Sequence, residues 1–254
     1  MKRPLRCYTG LSAGVIIAAL CWFYVRNDQR RLAISEHAVT FRFIATWFPT
    51  SHSRLLRTYD VESNDTDALW SDVLPSVVMS ADRARLLSWR AIPMTRNAHA
   101  PPESRPNFHE SWNSPRNQRF SPWGRDVFYR AVTPERTFVC AIVGPNTAFD
   151  DASHIFADEL SANQIILIEV ADCGYSWMEP GDIEIEQLVS GSRRPLGVLP
   201  EGFFVVFADR QVWFLDHHVP LRVVLKYCTR TGARAHNRED ELAQYAKLRI
   251  RTNN

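Results

Sequence analysis

Between Gln164 and Pro180 the chain carries the apolar run Ile165-Ile166-Leu167-Ile168, with Val170 beyond Glu169, bounded by Asn163-Gln164 on one side and Asp172-Cys173-Gly174 on the other. A run of that length is short for a buried helix and predicts a core strand covered on both faces. Thr137 to Val143 predicts a strand before it, followed by a Gly144-Pro145-Asn146 turn and an acidic loop around Asp150-Asp151. Phe203 to Phe207 and Val212 to Leu215 predict a hairpin, although the intervening Ala208 to Gln211 lacks the glycine that favours a tight primed turn. Leu221 to Tyr227, preceded by Pro220, reads as a short amphipathic helix closing near Gly232, and the tail from Arg238 onward as a charged, solvated helix.

The N-terminal part has a different pattern. Lys2, Arg3 and Arg6 precede Tyr8 to Val25, a stretch with no charged residue that ends in Trp22-Phe23-Tyr24. A membrane-spanning helix needs roughly 20 apolar residues and carries aromatic residues where it leaves the hydrocarbon, so residues 8–25 are expected to be an uncleaved anchor in the lipid bilayer. A cleaved signal should end in small residues, and a lipoprotein signal wants a small residue before Cys21, where Leu20 stands. Orientation is close to a tie on charge, because Arg26, Arg30 and Arg31 follow the run. Beyond it, Val39 to Ile44 alternates like a strand while the preceding residues suit a helix only in part, so this boundary stays open. Residues 48–75 are polar and turn-rich, with Ser63 to Asp67 reading as a solvated loop. Arg90 to Trp123 is proline-rich and predicts a long loop, held by Trp89, Phe108, Trp112, Phe120 and Trp123. Read functionally it is a ligand or partner groove; the plainer reading is a loop stapled to the sheet.

Composition narrows the function classes. The chain has 254 residues, 45% of them hydrophobic and 23% charged, which fits a globular protein. A formal charge of +2, with basic residues scattered among acidic ones, gives no footprint for nucleic acid. No two of Cys7, Cys21, Cys140, Cys173 and Cys228 stand at Cys-x-x-Cys spacing, which removes the usual support for structural zinc or a redox pair. If the globular part lies outside the cytoplasm, Cys140 with Cys173 is the disulfide to test, and three buried free thiols is the favoured reading.

No catalytic motif is present: no Gly-x-Ser-x-Gly, no His-Glu-x-x-His and no phosphate-binding glycine loop. No cofactor and no catalytic residue is therefore assigned. Glu169, Asp172, Glu179 and Asp182 fall within fourteen residues and are weak candidates for a hard cation such as calcium, although the spacing matches no calcium loop. Glu169 is the odd member, because a charge inside an apolar run needs a buried arginine or an edge position. His217-His218 could bind metal, but neighbours on extended chain point in opposite directions, so they are read as surface residues.

Five blocks, Leu87 to Pro93, Ser111 to Asn117, Ala141 to Phe149, Ile165 to Pro180 and Phe203 to Asp209, resemble in order a large bacterial prepilin-like family of unknown function. It is abundant in planctomycetes and carries a terminal His-x9-Asp-Gly signature. Two departures stand out. No Gly-Phe-Thr-Leu-Ile-Glu-type start precedes Leu11, and Leu199 and Asp209-Arg210 stand where the signature has His and Asp-Gly. The resemblance implies an α+β protein: an N-terminal transmembrane helix, then a pilin-like, mainly antiparallel β-sheet head with a long proline-rich loop. Its expected organisation is a basic tail (1–7), an anchor (8–25), a juxtamembrane helix or strand and linker (26–85), the family domain (86–230) and a charged tail (231–254). It places the protein in a bacterial inner membrane, N-terminus cytoplasmic and C-terminal domain extracytoplasmic. The expected role is non-enzymatic binding or assembly with envelope or secretion proteins. The alternatives are a metal-dependent envelope enzyme using residues 169–182 and a solute-binding module using the aromatic loop 89–123.

Overall fold

The computed structural model describes residues 8–46, 54–60, 73–80, 82, 84–92, 105–124, 136–150, 155–190 and 196–251, without the side chains of residues 8–17, 20, 54–60, 73–75 and 123. The chain divides into two compact units, Met1–Thr40 and Phe41–Asn254.

The first unit is made by helix α1, Tyr8–Thr46, whose last residues enter the second unit. At 1.5 Å per residue its 39 residues span about 58 Å. The helix does not stop where the apolar run stops. It continues through Arg26, Arg30, Arg31 and Glu36, residues that propagate a helix as well as apolar ones do, and the strand-like alternation of Val39 to Ile44 is absorbed into its final turns. Among the described residues no helix is long and apolar enough to cross a membrane. The expected transmembrane anchor over 8–25, the single-pass description and the inner-membrane placement with its cytoplasmic N-terminus and extracytoplasmic head are corrected on that finding.

The second unit is α+β and contains two sheets. One has the order β3-β2-β1-β5, from Arg54–Asp60 (β1), Val73–Met79 (β2), Arg85–Ser88 (β3) and Ile155–Phe156 (β5). The other has the order β10-β9-β8-β6-β4-β7, from Val139–Val143 (β4), Ile165–Glu169 (β6), Ile183–Glu184 (β7), Gly202–Phe207 (β8), Val212–Asp216 (β9) and Ala246–Ile250 (β10). Both sheets are mixed: β1 pairs parallel with β2, and β4 with β7, while the remaining pairs are antiparallel. The two parallel pairs make the sheets mixed, although six of the eight pairings among the described strands are antiparallel.

The apolar run at 165–169 forms β6, inside the larger sheet and buried along its length. Its neighbour β8 is also buried throughout, and the packing on its two faces explains its composition. On one face Phe203, Val205 and Phe207 join Trp213 of β9 and Val224, Tyr227 and Cys228 of helix α4, Leu221–Cys228. (Helices α2, Pro115–Gln118, and α3, Ile185–Val189, precede α4.) On the other face Phe204 stacks on Phe41 of α1 at 5.1 Å between ring centroids and meets Phe214 at 4.7 Å. A strand covered on both sides has no polar face to keep, so it reads as an apolar run.

The β8–β9 turn closes without glycine. Arg210 takes the left-handed conformation at φ 65°, Arg210 N–H donates to Phe207 O at 2.8 Å, and Gln211 N–H donates to Asp209 Oδ1 at 3.1 Å. The tail is not one helix, as its charge suggested. It folds as α5, Arg230–Ala235, and α6, Arg238–Glu241, and then returns as β10 on the edge of the sheet. In β10 the half-buried Ala246, Leu248 and Ile250 alternate with exposed Lys247 and Arg249, charges of the kind that protect an open edge.

Cys140 of β4 and Cys173 are joined in a disulfide and buried, against the favoured reading of three free thiols; Cys228 stays free and buried. The bridge closes a loop of 33 residues. Loop-closure entropy gives such a bridge about 3 to 4 kcal/mol. Cys140→Ser/Cys173→Ser is expected to lose roughly that much in urea unfolding, and a midpoint equal to the wild type's would contradict the pairing.

Candidate functional site

The four carboxylates singled out in the sequence do not converge. Glu169, buried at the end of β6, turns its Oε2 to accept from Phe204 N–H at 2.9 Å, taking the place of a backbone acceptor where the β6–β8 ladder ends. Asp172 accepts from Gly174 N–H at 2.7 Å and from Arg136 Nη1 at 3.0 Å. Glu179 closes its own turn by accepting from Ser176 N–H at 2.9 Å.

Asp182 is the centre of a buried clamp. Its Oδ1 accepts from Ala141 N–H at 2.7 Å, Arg90 Nη2 at 3.0 Å and Trp89 Nε1 at 3.2 Å, and its Oδ2 from Ser76 Oγ at 2.7 Å. Burial pushes this carboxyl above its ordinary range, and the Arg90 guanidinium, with the Ser76, Ala141 and Trp89 donors, pulls it back. Arg90, itself fully buried, donates from Nε to Val139 O at 2.9 Å, from Nη1 to Ser88 Oγ at 2.5 Å and from Nη2 to Gly181 O at 2.8 Å. The ion pair thus ties β2 and the residues after β3 to β4 and the entry of β7. Of the buried arginine or edge position named for Glu169, the buried arginine Arg90 is paired with Asp182 instead. Chain separation of 92 residues hid the pair.

Two further arginine clamps hold the tail. Arg238 lies over the Phe207 ring at 4.4 Å and the Trp213 ring at 5.2 Å, donates to Ala162 O at 2.6 Å, and forms a two-pronged pair with Asp209, its Nη1 at 3.0 Å from Oδ1. Asp209 thereby anchors α6. Arg230 pairs with Asp150 at 2.8 Å. Both arginines spend terminal guanidinium nitrogens on these pairs, while Nε of each is buried without a hydrogen-bond partner.

The aromatic loop is also spent on packing in its described part. Asn117 of α2 is buried, with its Nδ2 donating to Asn107 O, Glu110 O and Ser111 O at 3.0 to 3.1 Å. Phe108 and Phe120 are buried, and Trp177 Nε1 donates to Ser121 O at 3.0 Å. The loop proposed at 63–67 and the basic tail 1–7 lie outside the described residues.

Among the described residues one group of three metal-competent side chains comes together: Asp216, His217 and His218. The sequence reading expected the two histidines to diverge. They do not, because β9 ends at Asp216 and the chain turns at once, with Val219 N–H donating to Asp216 O at 3.0 Å. The imidazole rings lie 4.0 Å apart, His218 Nδ1 is 2.7 Å and His217 Nδ1 3.7 Å from Asp216 Oδ1, and Lys247 Nζ of β10 lies 2.7 Å from Asp216 Oδ2. The hydrogen bond from Lys247, then those from His218, hold the Asp216 carboxyl well below the usual carboxylate range. The signal that would have found this site is an acidic residue closing a strand just before a His-His turn.

Comparison of the chain with protein-family models, curated proteins and solved structures finds no match.

Proposed function

We propose that the protein is a non-enzymatic binding or assembly component, and that it associates with further copies of itself through helix α1. One observation carries this reading. Trp22, Phe23, Tyr24 and Val25 are 62%, 65%, 73% and 53% exposed. Four consecutive residues on a helix step by about 100° each and so cover its whole circumference. A helix that is apolar all round requires burial on every side. A single flat partner leaves part of it in water, whereas a bundle of like helices covers it completely. The resemblance to prepilin-like proteins, which leads with an N-terminal helix, points the same way. The inward use of Glu169, Asp182, Asp209 and Arg238 supports a rigid scaffold more than a reacting centre.

Sedimentation velocity tests this reading. The wild-type chain is expected to sediment as a concentration-dependent oligomer, and Phe23→Glu as a monomer with an unchanged melting temperature. A wild type that stays monomeric over the whole accessible concentration range would contradict it.

A further inference from the structure

We propose that Asp216, His217 and His218 bind a borderline divalent transition ion of the zinc class. One ligand atom from each residue lies within 4.8 Å of the other two, close enough for a single ion to gather them with small side-chain rotations. Two imidazole nitrogens and a carboxylate oxygen are a donor set that suits zinc, copper or nickel, whereas calcium and magnesium take oxygen donors. The turn supplies the preorganisation. It follows a strand buried on both sides, and Asp216 N- and C-terminal neighbours are fixed by the β8–β9 register and by the Val219 N–H to Asp216 O bond. His217 and His218 side chains are 50% and 77% exposed, so the ion enters from solvent and water completes its coordination.

Lys247 gives the site a distinguishing signature. Its ammonium holds Asp216 Oδ2, which leaves Oδ1 facing the two imidazoles, but it also places a positive charge beside the incoming dication. Removing that charge while keeping the aliphatic stem should therefore tighten binding, an effect that an unstructured pair of surface histidines would not show.

The test is calorimetric titration of zinc chloride into the full-length, metal-free chain carrying no histidine tag, in a buffer that does not chelate. One equivalent is expected to bind. His217→Ala and His218→Ala should each weaken binding by about tenfold or more, and Lys247→Met should strengthen it. Both histidines are exposed, so melting temperatures near the wild type's will show that the variants fold. A wild type that takes up no zinc overturns the proposal, as does binding that survives both histidine substitutions or that Lys247→Met weakens.

Discussion

Arg90→Leu is expected to destabilise the second unit by about 3 to 5 kcal/mol, the range for removing one partner of a buried ion pair. The substitution leaves the buried Asp182 carboxylate with Ser76, Trp89 and Ala141, and takes a guanidinium donor from each of Val139 O, Gly181 O and Ser88 Oγ. Each hydrogen bond lost at a buried acceptor adds to the cost. The double variant Arg90→Leu/Asp182→Leu removes both charges, and replacing a whole pair by apolar groups is far less costly than breaking it. It is therefore expected to recover part of the loss. Urea unfolding of the two single variants and the double variant closes the cycle. A single variant within about 1 kcal/mol of the wild type would show that Arg90 and Asp182 do not hold the sheets together.

Ile166→Asp is the second large effect, and it is expected to abolish cooperative unfolding. Ile166 is 1% exposed in β6, the strand between β8 and β4. Arg90 is already held by Asp182, Val139 O, Ser88 Oγ and Gly181 O, and burying an unpaired charge costs more than the whole stability of an ordinary domain can absorb. Ile166→Val keeps the site apolar and is expected to lose only about 0.5 to 1.5 kcal/mol. Circular dichroism melts separate the two. An Ile166→Asp protein that melts cooperatively within a few degrees of the wild type would place the core elsewhere.

What the sequence made legible follows from how local each signal is. β6, β8 and β9 are buried on both faces, so their apolar runs declare them without reference to the rest of the chain. The helix after Pro220 is legible for the same reason, since proline fixes its start and its apolar stripe is short-range. The tail misled because Lys247 and Arg249 on an edge strand have the same charged look as a solvated helix. The N-terminal segment was legible only in part, because the strand-like alternation of Val39 to Ile44 left its end open, whereas backbone propensity carries α1 to Thr46 and lets Phe41 reach Phe204 and Phe138.

The candidate sites depend on longer-range geometry. Glu169 accepts from a backbone N–H, that of Phe204, while the buried arginine Arg90 pairs with Asp182, 92 positions along the chain. His217 and His218 were judged by strand geometry, which holds only as far as Asp216. One turn residue changes two diverging side chains into two converging ones.

The assembly reading rests on α1, and Cys21 is placed to report on it, being an exposed free thiol one residue before the aromatic stretch. Cys140 and Cys173 are paired, and burial pushes the Cys228 thiol up to about 12, so neither competes for reagent. With Cys7→Ser in the background, a short bismaleimide should link copies through Cys21 into dimers, and Phe23→Glu should suppress the product. If Cys21 reacts fully with a monofunctional maleimide yet the bifunctional reagent yields only monomer, the helices do not meet and the proposed assembly is wrong.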